Sequence, residues 1–474
     1  MRHPWIPSRK PKRIPSTRPA TILDTPAAGE GYEYRASYCG IPLQVFSQPP
    51  VNGDFLQEGD TIIARWVPGA GELWFPSPER QQEIIYFSPG GTWPGVWADW
   101  HGELWKYDGI NLPVHVWTPN ALLYEYPSCL AWCEATKRLY IWTWGYDLVS
   151  GAPKHRIYKL NPADDSITLV LEHLQWPDLD WSDGGFENPA MDVAEFPLDG
   201  CLYAHFACWA LDPWAGVIAF DPITETERFA YEYPNPAWEG GICYHPGTAK
   251  LLAFSGYQMY ESANGINFVL NNDLNVNFSI YDSGPMVLNP DDGNIYLCVE
   301  YCDDPPGFPW DGCGGIMKYD GVNWTIDYQY FDPRSARKDT GFKAITNLYP
   351  LGGGAIETIA EFWAWWFADE QASVHKKTAG VWGMDWAGPP IGEGWVSPTW
   401  QTMVSFRGEL HDLKFDRAGW GGDSGIFYGA RLYKRDVLGN YTAIMDWAFY
   451  EAWANAEYTM CMSPVRTTRK CHEV

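Results

Sequence analysis

Short apolar stretches alternate with Asp, Asn and Gly turns along most of this chain. The phrase KYDG, followed by a branched aliphatic residue and Asn, occurs at residues 106–111 and again at 318–323. Asp-Gly between alternating apolar runs is typical of a β-hairpin, because its turn needs residues that tolerate positive φ. Looser copies, each an apolar strand, an Asp or Asn turn and an alternating strand, begin at Arg156, Gly216, Tyr257 and Ala430. The pattern therefore predicts a recurring hairpin.

A second phrase precedes these hairpins, and consists of a turn residue, usually Gly, followed by an apolar-aromatic strand. It reads GELW at 71–74 and 102–105, KRLYIW at 137–142, GCLYAHF at 200–206, GNIYLCVE at 293–300 and GELHDLKF at 408–415. Its leading Leu or Ile recurs at residues 139, 202, 251, 295, 356 and 410, a mean spacing of about 54 residues. Four short strands repeated at this period are typical of a β-propeller, in which neighbouring blades bury each other's faces and ring closure removes exposed edges.

The predicted fold is all-β: a single propeller of four-stranded antiparallel blades, with no second domain. We predict seven blades, at about 60–118, 127–172, 190–233, 240–272, 283–330, 343–395 and 400–448, with six or eight as alternatives. Residues 456–465 are predicted to be a closing strand that pairs with the first blade. A β-sandwich with long loops fits less well, because sandwiches do not repeat two turn phrases in a fixed order.

The stretch ESANGINF at residues 261–268 resembles the Asp-box turn, with Asn264 in the place of Asp. Over residues 60–450 the chain resembles Asp-box and kelch-like propellers at the level of its turns. It also resembles the propeller proteins of bacteriophage virions, which are tail, collar or capsid-surface components. The resemblance implies the fold and hardly any activity, since Asp-box turns are structural.

Long loops fall on one predicted face, because connections between second and third strands and from blade to blade share that side. Loops on a rigid scaffold are where function usually resides. Their Trp and Asp side chains suit sugar rings, which stack on indoles and hydrogen-bond to carboxylates, and Trp also anchors protein interfaces. The alternative is that the indoles are lids over the blades. The predicted binding face consists of Trp176, Asp178, Asp180, Trp181, Asp183, Trp214, Asp304, Trp310, Asp311, Trp365, Trp366, Trp420 and Asp423.

Catalytic signals are weak. The chain has no GxSxG, HExxH or P-loop motif, and its many loop carboxylates give no reason to select one glycosidase pair, so enzymatic activity stays open and is not favoured. Oxygen donors at Asp178, Asp180, Asp183 and Glu187 are a weak calcium candidate whose spacing does not match an EF-hand. Otherwise we expect no metal and no cofactor. His205 with Cys208, and Cys243 with His245, could be metal ligands, but we expect them to be satisfied strand residues.

Charge is unevenly distributed. Residues 1–18 carry six Arg or Lys and no acid, whereas the whole chain has a net charge of -26, which leaves the rest near -32. Such a body repels nucleic acid and anionic membranes. No run of 18 apolar residues predicts a membrane span, and the N-terminal segment does not resemble a signal peptide. The eleven irregularly spaced cysteines are expected to be mostly reduced, although a bridge within residues 298–313 is an alternative.

Three segments are predicted: an extended, Pro-rich docking arm at 1–40, the propeller at 41–465 and a tail at 466–474. The arm would bind neighbouring subunits of a large assembly through Arg2, Arg9, Lys10, Lys12, Arg13 and Arg18. These features together suggest a non-enzymatic virion component that contacts a host glycan or protein. The alternatives are a soluble carbohydrate-binding or carbohydrate-active propeller and an intracellular scaffold, which would be cytoplasmic or released without a signal peptide.

Overall fold

The structure is a computed structural model that forms two compact units, residues 1–82 with 466–474, and residues 83–465. It describes residues 17–24, 33–38, 41–47, 61–66, 73–75, 79–90, 102–119, 125–146, 153–172, 190–206, 216–234, 240–278, 280–301, 314–330, 341–349, 355–363, 371–390, 402–418, 427–436, 439–450 and 460–470. Those residues contain 33 strands and one five-residue helix. None of their helices is long and apolar enough to cross a membrane.

The first five strands form a small closed sheet in the order β1-β2-β3-β5-β4. β3 and β5 pair in parallel, and the other neighbours pair antiparallel. The prediction that the chain has no second domain is therefore wrong. The strands are β1 (Thr17–Asp24), β2 (Glu33–Tyr38), β3 (Ile41–Ser47), β4 (Thr61–Trp66) and β5 (Leu73–Phe75).

The remaining strands form seven four-stranded antiparallel sheets, which confirms the predicted seven-bladed propeller. Blade one contains β6 (Glu79–Pro89), β7 (Leu104–Tyr107) and β8 (Val114–Trp117). Blade two contains β9 (Tyr126–Cys133), β10 (Arg138–Tyr146), β11 (Pro153–Asn161) and β12 (Ser166–Glu172). Blade three contains β13 (Ala190–Phe196), β14 (Cys201–Phe206), β15 (Gly216–Asp221) and β16 (Thr226–Glu232). Blade four contains β17 (Ile242–His245), β18 (Lys250–Ser255), β19 (Gln258–Ser262) and β20 (Val269–Asp273), followed by the helix α1 (Leu274–Phe278).

Blade five contains β21 (Ile280–Leu288), β22 (Ile295–Tyr301), β23 (Gly314–Tyr319) and β24 (Trp324–Tyr330). Blade six contains β25 (Gly341–Leu348), β26 (Glu357–Trp363), β27 (Gln371–Thr378) and β28 (Val381–Pro390). Blade seven contains β29 (Met403–Phe406), β30 (Glu409–Ala418), β31 (Phe427–Arg435) and β32 (Tyr441–Tyr450). The last strand, β33 (Met460–Lys470), returns to blade one.

Blade one is completed by β33, in the sheet order β33-β6-β7-β8. The predicted closing strand at 456–465 is therefore confirmed, and it takes the position that the first strand occupies in the other blades. First strands of successive blades contact one another from β9 through β29, so they surround the central channel. Ring closure by two distant chain segments leaves the channel lined by the inner strands.

The predicted range of blade one was wrong at its start. Leu73 and Trp74 of the first GELW copy and the strand at 61–66 belong to the separate five-stranded sheet, whereas the copy at 102–105 lies in the propeller. Blade one needs no strand from residues 61–75 because β33 supplies its fourth. Strands β1 and β2 lie within the predicted arm, and β33 runs into the predicted tail. The segment boundaries at 40 and 465 stay predictions.

The repeated KYDG phrase forms the turn between third and fourth strands. Asp320 Oδ1 accepts hydrogen bonds from the amides of Val322 (2.9 Å) and Asn323 (2.8 Å). Asp108 Oδ1 accepts the equivalent pair in blade one, at 2.9 and 2.8 Å. The glycine after each Asp has φ of +82° in blade one and +95° in blade five, which an L residue rarely adopts. The phrase therefore recurs because the turn requires both residues.

The second phrase recurs because its aromatic residue connects neighbouring blades. The hydroxyl of Tyr140 donates to the carbonyl of Pro222 in blade three (2.9 Å). Tyr86, which lies outside the phrase on the second strand of blade one, likewise donates to Asp165 Oδ1 in blade two (2.8 Å). In blade five, the Tyr296 hydroxyl accepts a hydrogen bond from Lys377 Nζ of blade six (2.9 Å). A buried tyrosine gains both apolar packing and a satisfied hydroxyl in this position.

Candidate functional site: the central channel and the blade interfaces

The predicted binding face cannot be located in this structure. All thirteen of its Trp and Asp residues, from Trp176 to Asp423, lie outside the described residues, and so does the weak calcium candidate of Asp178, Asp180, Asp183 and Glu187. In the predicted arm, Arg2, Arg9, Lys10, Lys12 and Arg13 also lie outside, while Arg18 pairs with Ala64 between β1 and β4. These assignments stay predictions.

The central channel contains a cavity of about 270 Å³. Blade three contributes Asp192 and Glu195 to its wall, and blade two contributes Trp132. Blades six, seven and one contribute apolar side chains, among them Ile345, Met403 and Met462. The cavity is therefore acidic on one side and apolar on the other.

Asp192 also has a structural role in the channel wall. Its Oδ2 accepts a hydrogen bond from the amide of Ile242 in blade four (3.0 Å), and its Oδ1 accepts one from Val193 (2.9 Å). A side chain at Gly241 would bring Cβ within 3.2 Å of Asp192 Oδ2 and 3.4 Å of the Gly284 carbonyl. A glycine at this position thus lets two blades approach the carboxylate.

The thiol nearest this wall is not activated. Burial, together with the negative charge of Asp192, raises the pKa of Cys243 to about 12. Because the thiolate is the nucleophilic form, this cysteine is inert at neutral pH. Cys133, Cys201 and Cys461 are also free thiols, as the sequence predicted for most cysteines, while Cys302 and Cys313 lie outside the described residues.

Three histidines are buried within the blades and are neutral at physiological pH. Burial lowers the pKa of His205 to about 3, and lowers those of His375 and His411 to about 4. His375 lies between the hydroxyls of Tyr328 (3.0 Å from Nδ1) and Ser373 (2.8 Å from Nε2). A neutral, enclosed imidazole packs the blade and is not placed to act on a bound substrate.

His245 is a hydrogen-bonded residue of β17. His245 Nδ1 is 2.9 Å from Thr248 Oγ1, and its Nε2 is 3.0 Å from the carbonyl of Gly293 in blade five. Both ring nitrogens are occupied by hydrogen-bond partners, as the sequence analysis expected. Within the described ranges, no group of three or more His, Cys, Asp and Glu residues is arranged to hold a metal ion.

A buried ion pair lies in blade two. Arg156 contacts the fully buried Glu125 (Nη1 to Oε2, 3.1 Å) and the more exposed Glu172 (Nη2 to Oε1, 3.0 Å). Tyr158 donates to Glu125 Oε2 at 2.9 Å, and Thr143 donates to its other oxygen. Burial acts to lower the pKa of Arg156, but the two glutamates outweigh it and raise the pKa. The positive charge of Arg156 balances the buried carboxylate of Glu125, so its burial is tolerated.

Two further carboxyls, Glu361 of β26 and Asp412 of β30, lie in the interface between blades six and seven. Both are fully buried. Glu361 is paired with Ala344 and Val374, and Asp412 is paired with Met403. These three partners pack in one apolar cluster, so the two carboxyls face the same interface. Burial raises the pKa of Asp412 well above its ordinary value.

Sequence reasoning missed the buried glutamates and Asp412, because only long-range packing reveals that they are enclosed. Glu361 and Asp412 lie on strands and Glu125 immediately precedes β9, and all three are buried beside strand residues of the core. A charged residue that interrupts an apolar strand was the available signal.

Comparisons with known proteins concern the fold only. No protein-family model matches the chain, and no curated protein does. Among solved structures, a putative 6-phosphogluconolactonase from Bacteroides uniformis is 11% identical, with 81% of this chain and 99% of that chain covered and a TM-score of 0.46. The β-propeller domain of the Trilobed protease from Pyrococcus furiosus is 11% identical, with 77% and 95% covered and a TM-score of 0.37.

The α-L-arabinofuranosidase from Fusarium graminearum is 10% identical, with 63% of this chain and 89% of that chain covered and a TM-score of 0.39. At these identities and TM-scores, no activity is carried over to this chain. The propeller assignment depends on the sheet order of the chain itself. The resemblance to Asp-box, kelch-like and phage propellers stays a prediction.

Proposed function

We propose that this protein is a non-enzymatic structural and interaction component of a large assembly, of the virion type that the sequence analysis suggested. Its propeller is the rigid scaffold, the basic N-terminal segment binds neighbouring subunits, and the Trp- and Asp-rich loops bind a host or partner surface. The observation that supports this proposal most is that ionisable side chains among the described residues connect strands and blades to one another.

Three groups support this reading. His375 is enclosed by Tyr328 and Ser373, Glu125 is neutralised by Arg156, and Asp192 accepts backbone amides from two blades. Catalytic acids and bases need a pKa near the working pH and access to substrate. Groups that are buried and compensated give rigidity instead, which suits a scaffold that presents loops.

A soluble carbohydrate-binding or carbohydrate-active propeller is the second candidate, and the channel favours it. Asp192, Glu195 and Trp132 combine carboxylates with an indole around one cavity, which is the pairing that sugars suit. Both carboxylates come from one strand, β13, so a glycosidase would need its second group from elsewhere to flank a glycosidic bond.

Two experiments on the full-length chain separate these candidates. Particles purified from the source are examined by mass spectrometry, and the protein is incubated with a panel of aryl glycosides. The proposal expects the chain in the particles and no hydrolysis. Absence from particles, together with hydrolysis that Glu195→Gln abolishes and Glu134→Gln leaves intact, would establish the carbohydrate-active alternative.

The arm is tested by deletion of residues 1–16, which leaves β1 intact. We expect the melting temperature to stay within about 2 °C of the full chain while incorporation into particles is lost, since a surface segment contributes little to stability. Replacing Arg9, Lys10, Lys12 and Arg13 by Gln is the charge-specific variant. Normal incorporation of both variants would overturn the docking role.

A further inference from the structure

The N-terminal sheet, strands β1 to β5, has a topology that other proteins use for binding. It is closed, because β1 pairs with β4, and its order is β1-β2-β3-β5-β4 with β3 and β5 parallel. This is the strand order of the OB-fold, whose second and third strands bind oligonucleotides or oligosaccharides. Since a fold does not imply a function, the residues placed on each face decide what this sheet can bind.

The register of β2 and β3 separates an apolar face from a polar one. Paired residues share a face, and successive residues along a strand alternate between faces. One face is entirely apolar or aromatic, and consists of Tyr34, Ala36, Tyr38, Ile41, Leu43 and Val45. A small closed sheet needs such a set for its interior. The outer face is therefore the other one, which consists of Glu33, Arg35, Ser37, Pro42, Gln44 and Phe46.

One row of the outer face runs through all five strands. Phe46 of β3 is paired with Glu33 of β2 on one side and with Trp74 of β5 on the other. Trp74 is paired with Arg65 of β4, which in turn is paired with Thr17 of β1. These five residues are here called the aromatic row. It places two aromatic residues side by side with an arginine next to them, and aromatic rings are platforms on which bases or sugars stack.

Positive charge is concentrated in the same unit. Residues 1–82 and 466–474 contain 12 Arg or Lys and 9 Asp or Glu, a net charge of +3, whereas residues 83–465 contain 21 and 50, a net charge of -29. Six of the 12 basic residues lie within residues 1–18, and without them the unit would carry -3. The negative charge that disfavours nucleic acid for the chain as a whole thus belongs to the propeller.

The basic segment joins the aromatic row directly, because Thr17 is both the first residue of β1 and a member of the row. The sixteen residues before it contain no acid and five basic residues, Arg2, Arg9, Lys10, Lys12 and Arg13. Extended at about 3.3 Å per residue, such a segment spans up to roughly 50 Å. A neutral sugar would gain nothing from these cations, whereas a polynucleotide offers them a phosphate at every nucleotide.

We propose that the N-terminal sheet binds single-stranded nucleic acid, with bases stacked on Phe46 and Trp74 and phosphates held by Arg65 and the basic segment. A single strand fits better than a duplex, because its unstacked bases present their faces to aromatic rings. The inference goes beyond the proposed function, which gives this sheet no ligand. It is measured on the purified chain, so its outcome is independent of incorporation into particles.

Fluorescence anisotropy of the full-length chain with a fluorescein-labelled oligothymidylate of about 20 nucleotides tests the proposal. At about 50 mM NaCl the wild type is expected to bind in the micromolar range, and to bind a duplex of equal length more weakly. Trp74→Ala should weaken binding at least about tenfold, the loss expected for one stacked base, whereas Trp74→Phe should keep most of it. Tyr257→Ala, which removes an exposed aromatic residue of the propeller, should bind as the wild type does.

A salt titration separates the stacking contacts from the phosphate contacts. Arg65→Gln should reduce the slope of log affinity against log salt by about 0.7, and deletion of residues 1–16 should reduce it further. Trp74→Ala should leave the slope unchanged, because stacking releases no counterions. Arg138→Gln, on β10 of the propeller, is the matched charge control and should also leave the slope unchanged.

Circular dichroism shows whether each variant is folded, and Phe46→Ala and Arg65→Gln test the row if Trp74→Ala is not. A wild type that does not bind the oligonucleotide overturns the proposal, as does binding that Trp74→Ala weakens no more than Tyr257→Ala does. Binding that is lost with residues 1–16 but kept in Trp74→Ala assigns the nucleic acid to the basic segment alone and also overturns it. Binding of cellohexaose in place of the oligonucleotide would assign the sheet to neutral sugars.

Discussion

Blade five and blade one use the same architecture but are assembled differently. Blade five is one continuous segment from Ile280 to Tyr330, whereas blade one joins residues near 79–117 to a strand that begins at Met460. Both contain the KYDG turn and the bulge between the third and fourth strands. The hairpin is therefore encoded locally, while completion of the ring depends on contacts between chain ends, whose pairing requires a long loop to close.

Removal of β33 should have the largest effect on stability, because it deletes one strand of blade one and leaves blade five complete. Met460, Cys461, Met462 and Val465 are all nearly fully buried. Burial contributes about 1.5–3 kcal/mol per large apolar side chain, so their loss approaches a typical total stability of about 5–15 kcal/mol. A chain ending at residue 459 is expected to lose cooperative unfolding in urea, while one ending at Lys470 should unfold like the full chain. An unchanged midpoint for the shorter chain would contradict ring closure by β33.

Acid should weaken both the contact of blade seven with blade one and the contact of blade six with blade five. His411 packs against Tyr107 of blade one, and His375 packs against Tyr328 of blade five. Both have a folded pKa of about 4, below the unfolded value near 6.5. The unfolded state therefore binds more protons between those values, so stability is complete above pH 6.5 and falls as pH decreases toward 4. At pH 5 each histidine should cost about 2 kcal/mol.

Urea unfolding between pH 7 and pH 4.5 measures this dependence. Asp412 acts in the opposite sense: its raised pKa means that stability is lost as pH rises above the unfolded value near 4. Asp412→Asn should therefore stabilise the protein at pH 7 and steepen the net loss toward acid. A flat profile in both proteins would show that the histidines are not enclosed.

The close approach of two blades can be tested at a single glycine. Gly265 has φ of +72°, and a Cβ there would lie 1.9 Å from the Tyr203 hydroxyl. Gly293 has nearly the same φ, +73°, with no atom within 4 Å of its Cβ position. Gly265→Ala should cost about 3 kcal/mol from strain and overpacking together, and Gly293→Ala about 1 kcal/mol from backbone strain alone. Equal urea midpoints for the two variants would show that the close approach of Tyr203 to Gly265 adds nothing to the cost of the substitution.

The smallest expected effect compares the two copies of the repeated turn. Asp108→Ala and Asp320→Ala each leave two amides to water, and each should cost about 1 kcal/mol. The pKa of Asp320 is lowered chiefly by the amides of Asn323 and Val322, so its contribution should be lost as pH falls below its ordinary value. If one variant were several-fold more damaging than the other, the two turns would not be equivalent.

Features that depend on contacts between residues close in sequence could be predicted, and those that depend on contacts between distant segments mostly could not. Asp320, Gly321 and their copies act within four residues, so the turns, the seven blades and even the closing strand could be predicted. The five-stranded N-terminal sheet could not, because its strands pair without the repeated phrases, and its GELW copy at 71–74 suggested a blade. Glu125 and Asp412 became recognisable as buried groups only once distant strands surrounded them. The predicted Trp and Asp face remains a prediction.

Hydrogen exchange read by mass spectrometry tests the ring most directly, by comparing amides of residues 460–465 with those of 295–299 in the intact protein. β22 is paired on both sides and β33 is paired with β6 on one side, so the account predicts that the β33 amides bonded to β6 are protected like those of β22, to the level set by global unfolding. Rapid exchange at 460–465 beside slow exchange at 295–299 would show that β33 does not complete blade one, and would contradict the closed seven-bladed propeller.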